Sequence, residues 1–339
     1  MTSAGPGDIK KDFRSCDVQL IRNSVVLGLL LTLALSASCR KKEKLAIAVV
    51  PKGQNSAFWQ AVRAGAMAAG RDLGVQILWN SPASEIDSAR QLSIVDEFIN
   101  QRVNGIALAP ANSESLVPIV ERAAQERIPV TIFDSGIRTE KYVSFVSSDN
   151  YRGGALAARR MGTVIAAGGQ IAILGSVPGS TSTAERENGF RETIAREFPS
   201  LQIVEFQYGM GDRAQSIAVA KGIFAAHPEL SGIFCSSEAG TAGVLESAGD
   251  TRVAGRVKIV GFDTGPELVQ GIRSGRIDSL IVQDPFRMGY MSVKTLVEHL
   301  RGEAPEKQID TGIVLVTAEN LMRPEIQKLV VPPIENYVR

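Results

Sequence analysis

The chain has 339 residues, of which 44% are hydrophobic and 22% charged, and its formal net charge is +1. That length suits two domains of ordinary globular composition. The balanced charge excludes the basic surface from which nucleic-acid binders draw their affinity, so no nucleic-acid partner is expected. The three cysteines, Cys16, Cys39 and Cys235, show no CxxC spacing and imply neither a disulfide framework nor a thiolate metal site.

The chain begins with a leader. Residues 25–38 are an uncharged, mostly apolar run behind Arg22, with Lys10, Lys11 and Arg14 further upstream. A cationic start, a short apolar run and a small-residue exit make a secretory signal. The run is too short for a membrane span, which needs about 20 apolar residues. The exit Leu35-Ser36-Ala37-Ser38-Cys39 resembles the bacterial lipobox, although Ser36 stands where that motif usually carries leucine. The resemblance implies a signal peptide over 1–38 and lipid attachment at Cys39. A tether then covers 39–44, containing Arg40, Lys41, Lys42 and Lys44. Cys235 is left as the unpaired cysteine of the mature chain.

From residue 45 the pattern alternates between apolar runs of strand length and amphipathic segments of helix length. Strands are predicted over 45–50, 75–79, 105–109, 128–133 and 143–147, with helices over 57–73, 86–100 and 113–126. The alternation then restarts, with a helix at 151–167, a strand at 170–174 and a helix at 183–197. Strands follow at 201–207, 232–235 and 257–262, separated by helices starting at Arg213, Ala239 and Gly265. Late strands at 277–282 and 313–316 flank a helix over 288–301. Such alternation predicts two α/β lobes, each a doubly wound parallel sheet. No Pro-, Ser- or Gln-rich linker separates the halves, which predicts lobes joined by several crossing strands.

Catalytic and cofactor signals are missing. No GxGxxG follows the first strand and no Gly-Lys-Ser/Thr phosphate loop occurs. The two histidines, His227 and His299, lack the HExxH context. Cys235 ends an apolar strand with no histidine nearby in sequence, a poor setting for a nucleophile. The chain is therefore expected not to be an enzyme, and to need no cofactor and no metal.

What remains is a set of residues after strand ends, where α/β folds bind ligands. Phe58 and Trp59 follow the first strand and offer flat apolar faces that match the CH faces of a sugar. Asp134 ends the strand at 128–133, and Asp263 ends the strand at 257–262. One carboxylate accepts two neighbouring hydroxyls through strong, charge-assisted bonds. Each aspartate alone reads equally well as a helix N-cap. Arg186 opens the helix at 183–197, and Gln283 sits before Asp284-Pro285 at a lobe crossover.

Taken together and in this order, these segments resemble the ribose- and galactose-type periplasmic binding proteins, the type I solute-binding family. The matching pieces are Asn55–Trp59, Phe133-Asp134, Ser147–Asn150 with Gly153-Gly154, Glu185–Phe190, Val260–Asp263 and Gln283–Pro285 with Gly289. The resemblance implies a monomeric, periplasmic or membrane-surface sugar binder that serves an ABC permease. It implies ligand contacts at Ser56, Phe58, Trp59, Asp134, Arg186, Ser237, Asp263 and Gln283. It also implies lobes of 45–148 with 284–313 and of 149–283 with 314–339. Two departures stand out. Ser135 replaces an arginine of the family pattern, and Ser237-Glu238 replaces Asn-Asp. Both remove donors, so a wider or less polar pocket is expected. A transcription regulator of this fold would need an N-terminal helix-turn-helix where the leader lies. A sensor feeding a chemoreceptor or kinase, and a non-sugar ligand such as a nucleoside, stay open.

Overall fold

The computed structural model describes residues 1–4, 44–249, 253 and 255–338. The leader and Cys39 lie outside the described residues. Among the described residues no helix is long and apolar enough to cross a membrane.

The first lobe runs β1 (Ala46–Val50), α1 (Ala57–Leu73), β2 (Gln76–Trp79), α2 (Ser88–Asn100), β3 (Gly105–Leu108), α3 (Val117–Gln125), β4 (Val130–Phe133) and β5 (Ser144–Ser147). The second runs α4 (Asn150–Val164), β6 (Gly169–Gly175), α5 (Thr181–Glu197), β7 (Leu201–Tyr208), α6 (Arg213–Ala226), β8 (Leu230–Cys235), α7 (Glu238–Gly249), β9 (Lys258–Phe262), α8 (Pro266–Arg273) and β10 (Ser279–Gln283). The chain then returns through α9 (Pro285–Leu300) and β11 (Gln308–Asp310), and crosses again into β12 (Ile313–Thr317) and α10 (Pro324–Val330).

The two sheets share one plan. The first has the order β11-β5-β4-β3-β1-β2 and the second β12-β10-β9-β8-β6-β7. Every pairing is parallel except β10 with β12. That antiparallel edge departs from the expected all-parallel sheets. The link between β11 and β12 is too short for a crossover helix, so β12 enters its sheet from the opposite end.

Helices cover both faces of each sheet, so each strand is apolar on both sides. In β1, Ile47 and Val49 join the core under α1 and α9, while Ala48 and Val50 join the core under α2 and α3. Period-2 alternation thus feeds two cores from one strand.

On one face of each lobe a helix pair meets at backbone contact. A Cβ at Gly65 of α1 would collide with the Phe286 carbonyl of α9, and one at Gly289 with the Val62 carbonyl. In the second lobe, Cβ atoms at Gly154 of α4 and Gly189 of α5 would collide with the carbonyls of Arg186 and Tyr151. Only glycine admits such close approach.

Three segments cross between sheets, at 147–150, 283–285 and 310–313. The first and third are bonded to each other, with the hydroxyls of Ser148 and Thr311 3.1 Å apart and the Thr311 amide donating to Ser147 O at 3.0 Å. The helices that follow the first two crossings begin alike. Asp149 caps α4 by accepting from the Arg152 amide, and Asp284 caps α9 by accepting from the Arg287 amide.

Candidate functional site

The strand ends of the two sheets face each other across a cavity of about 360 Å³. That size lies within the usual range of small-molecule sites, roughly 300–1,000 Å³. All eight residues singled out by resemblance line it: Ser56, Phe58, Trp59, Asp134, Arg186, Ser237, Asp263 and Gln283. Among the described residues no cluster of His, Cys, Asp or Glu is arranged to hold a metal ion.

The apolar wall comes from α1. Ser56 is its N-cap, its Oγ accepting from the Trp59 amide at 3.2 Å. This fixes the first turn and with it both aromatic rings. Phe58 and Trp59 meet edge to face with centroids 4.8 Å apart, and Trp59 packs against Phe133 at 6.5 Å. Both rings are buried in the first-lobe core and still border the cavity, so they are structural and site residues at once.

Asp134 and Asp263 occupy equivalent strand ends, after β4 and β9, and both have left-handed backbones with φ of 60° and 66°. Few non-glycine residues adopt that conformation, and such strain gathers at functional sites. Neither is an N-cap in the structure: the next helix after Asp134 is α4, capped by Asp149, and the next after Asp263 is α8, with Gly265 at its N-cap position.

Arg186 Nη1 lies 3.7 Å from Asp263 Oδ2, and Gln283 Nε2 donates to Asp263 Oδ1 at 2.6 Å. Arg186 is itself held by Asn150 Oδ1 at 2.8 Å and the Ser236 carbonyl at 2.9 Å, with its guanidinium 4.0 Å over the Phe262 ring. Burial pushes the Asp263 carboxyl above its ordinary value, and the Arg186 charge opposes the shift. Gln283 is 1% exposed and its Oε1 has no hydrogen-bond partner among the described residues. A buried amide oxygen left so is costly unless a donor reaches it.

The cation absent at position 135 has a counterpart elsewhere in the site. Lys52, 4% exposed, places its Nζ 2.5 Å from Ser135 Oγ and 2.6 Å from Asp134 Oδ2. The cation missing at position 135 is thus supplied from the loop after β1. The same ammonium reaches Ser180 Oγ at 3.1 Å and Ser182 Oγ at 3.3 Å, both from the second lobe. Ser237 Oγ accepts from the Gly240 amide at 3.3 Å, a capping role at the start of α7. Glu238 beside it crosses to the first lobe and accepts from the amides of Ala57 and Phe58, both at 3.1 Å. A carboxylate at a helix N-terminus answers free N–H groups. Burial pushes the Glu238 carboxyl up to about 7 against the pull of those two amides.

The residues that lay outside the sequence-based set include Lys52, Glu238 and Glu85. Glu85 comes from the loop after β2 and accepts from Trp59 Nε1 at 2.6 Å. Lys52 had one legible signal, a lone charge just past an apolar strand. His227 sits at the end of α6 with Nε2 3.3 Å from Glu205, away from the cavity. Cys235 is buried, which raises its thiol far out of the reactive range.

The geometry is that of a two-lobed binding protein, and comparison with known proteins gives the family. A model of the periplasmic binding protein domain matches residues 47–304. The D-allose-binding periplasmic protein of Escherichia coli is 28% identical over 279 residues, covering 80% of this chain and 89% of that protein. The ribose import binding protein of Bacillus subtilis is 25% identical over 276 residues, covering 81% and 88%. Among solved structures, a solute-binding protein of an ABC transporter from Agrobacterium vitis, with bound D-fucose, superposes with a TM-score of 0.82 at 35% identity, covering 84% and 99%. A carbohydrate-transporter solute-binding protein from Agrobacterium radiobacter, in complex with D-arabinose, gives 0.83 at 31% identity, covering 86% and 100%. The chain belongs to the periplasmic binding protein family, with the type I fold of its sugar-binding members. These are transport components and not enzymes.

Proposed function

We propose that this chain is an exported substrate-binding lipoprotein that captures a sugar by hinge closure and delivers it to an ABC importer. The observation that carries this reading is the pairing of Asp134 and Asp263 across one cavity beside the free Gln283 Oε1. Acceptors of this kind suit a ligand rich in hydroxyl donors. Phe58 and Trp59 supply the apolar wall that a sugar ring needs. Ribose, allose, arabinose and fucose in the names of the relatives favour the same ligand class.

In this mechanism the sugar meets Ser56, Phe58, Trp59 and Asp134 on one lobe, and Arg186, Ser237, Asp263 and Gln283 from the other. The closing bodies are 45–148 with 284–313 and 149–283 with 314–339, turning on the three crossings. Only the closed form makes both sets of contacts, so ligand shifts the population toward it. The permease then receives the closed monomer. Lipid at Cys39 keeps it at the membrane, where stable anchoring takes more than one acyl chain.

A thermal-shift screen of the full chain against monosaccharides, polyols and nucleosides tests this. A ligand that binds only the folded state raises the midpoint. One strong sugar stabiliser, lost in Asp263→Ala and Arg186→Ala, is the expected result. Stabilisation by nucleosides alone, or by nothing in the screen, would remove the sugar assignment.

A further inference from the structure

Of the acidic residues at the cavity outside the eight resemblance-derived positions, Glu238 bridges the lobes, Asp212 caps α6 and Glu267 pairs with Arg213 at 2.5 Å, which leaves Glu85. Glu85 lies in the loop between β2 and α2, half-buried at the cavity edge. Its Oε1 accepts from Trp59 Nε1 at 2.6 Å. Trp59 is 3% exposed and packed in the first-lobe core, so this bond fixes the carboxylate plane against a rigid support. Glu85 makes no ion pair among the described residues, and Oε2 has no hydrogen-bond partner among them.

Glu85 is also enclosed from both lobes. Beneath it, a Cβ at Gly53 would stand 3.2 Å from Glu85 Cγ. From the second lobe comes Gly211, in the left-handed conformation with φ of 65°, where a Cβ would stand 3.4 Å from Glu85 Cβ and 3.5 Å from Oε2. Closure therefore seats a turn of the second lobe against this side chain. A carboxylate with one oxygen spent on its anchor, the other free, and both lobes around it is a preorganised acceptor. Burial pushes its pKa upward, the mark of an anion with too few donors around it.

We propose that Glu85 Oε2 accepts a hydrogen bond from one hydroxyl of the bound sugar and so sets which sugars the cleft takes. This rests on the sugar reading above and deepens it, by adding a selector outside the strand-end constellation. The chemistry is asymmetric. A sugar with a donor at that point gains a charge-assisted bond, while one lacking it leaves a partly desolvated carboxylate unanswered. Glu85 thus discriminates among sugars that the two aspartates would hold alike.

The test uses the full chain and isothermal titration. The tightest binder is first chosen from D-ribose, D-allose, D-arabinose, D-fucose, D-tagatose and D-galactose. Its mono-deoxy analogues are then titrated into wild type, Glu85→Gln and Glu85→Ala. In wild type one analogue is expected to bind about ten-fold or more weakly than its parent, the value of a hydrogen bond to a charged group. In Glu85→Ala that same gap should shrink to about two-fold, with the other gaps unchanged, the signature of a direct coupling. Glu85→Gln retains an acceptor for Trp59 and should narrow the gap with the aromatic wall intact. Equal weakening of every sugar in the variants, with all gaps preserved, would mean a merely structural side chain and overturn the proposal. Folded wild type that binds none of the six sugars would instead strike the sugar reading itself.

Discussion

The two lobes are built on one plan and differ in how they treat the same residue. Each sheet has the same strand order, and each places a left-handed aspartate after its third strand from one edge, Asp134 after β4 and Asp263 after β9. Each is entered by a helix reading Asp-x-(Tyr/Phe)-Arg-x-Gly, at 149–154 and 284–289, whose glycine meets a second helix at backbone contact. The neighbours differ. Asp134 is paired at 2.6 Å with Lys52 of its own lobe, whereas Asp263 has its cation at 3.7 Å and takes its closest bond from a neutral amide. The repeated architecture thus aims two carboxylates at one cavity, and the unrepeated side chains decide how free each is. Asp134 belongs to a closed network that spans the cleft. Asp263 is the less neutralised acceptor.

Removing each aspartate's nearest partner sharpens that contrast. Lys52→Met leaves Asp134 buried without a cation, and breaking such a pair costs about 3–5 kcal/mol; chemical denaturation of the ligand-free chain should show it. Overpacking probes the shared part of the plan. Gly289→Ala in one lobe and Gly154→Ala in the other should each cost about 1–3 kcal/mol or more, because backbone atoms cannot yield as a side-chain tip can. Similar losses in the two melting curves would support equivalent helix pairs. A tolerated alanine in one lobe only would break the parallel. Gln283→Leu removes one bond to Asp263 but leaves Arg186 in place, so its cost should fall to about 1–3 kcal/mol, below that of Lys52→Met.

A pH dependence is expected from Glu238. Its pKa is raised, to about 7, above the ordinary carboxylate value of 4.5. A raised pKa means stability that is fully present below about pH 4.5 and lost as pH rises through about 7. Wild type should therefore lose more melting temperature than Glu238→Gln between pH 5 and about 7.5. Glu85 and Asp263 are raised as well and remain in both proteins, so the difference between the two curves isolates Glu238. Parallel curves would mean that the Ala57 and Phe58 amides offset the burial of Glu238 in full.

Much of this was legible in the residues. Apolar runs bounded by glycine and polar turns marked the long parallel strands, because strands covered on both faces need little else. β11 escaped notice: Gln308-Ile309-Asp310 has one apolar residue and owes its pairing to β5. α10 is seven residues long, too short to show a period. The predicted helix over 113–126 shrinks to Val117–Gln125, because the Asn112 side chain holds the amides of Glu114 and Ser115 in a turn. The strand-end aspartates and the aromatic pair stood out as chemistry next to strand ends. Lys52, Glu85 and Glu238 did not, since each acts on a group far away in sequence. At Ser135 the cation absent from that strand end comes from Lys52 at another strand end, a pairing that local sequence does not announce.

The claim that both lobes hold one sugar is tested most directly by titrating the tightest binder of the sugar panel into wild type, Asp134→Ala and Asp263→Ala, each first shown to be folded. One site per chain in wild type, lost in both variants, is the expected result. Full-strength binding that survives either substitution would contradict a ligand shared between the lobes.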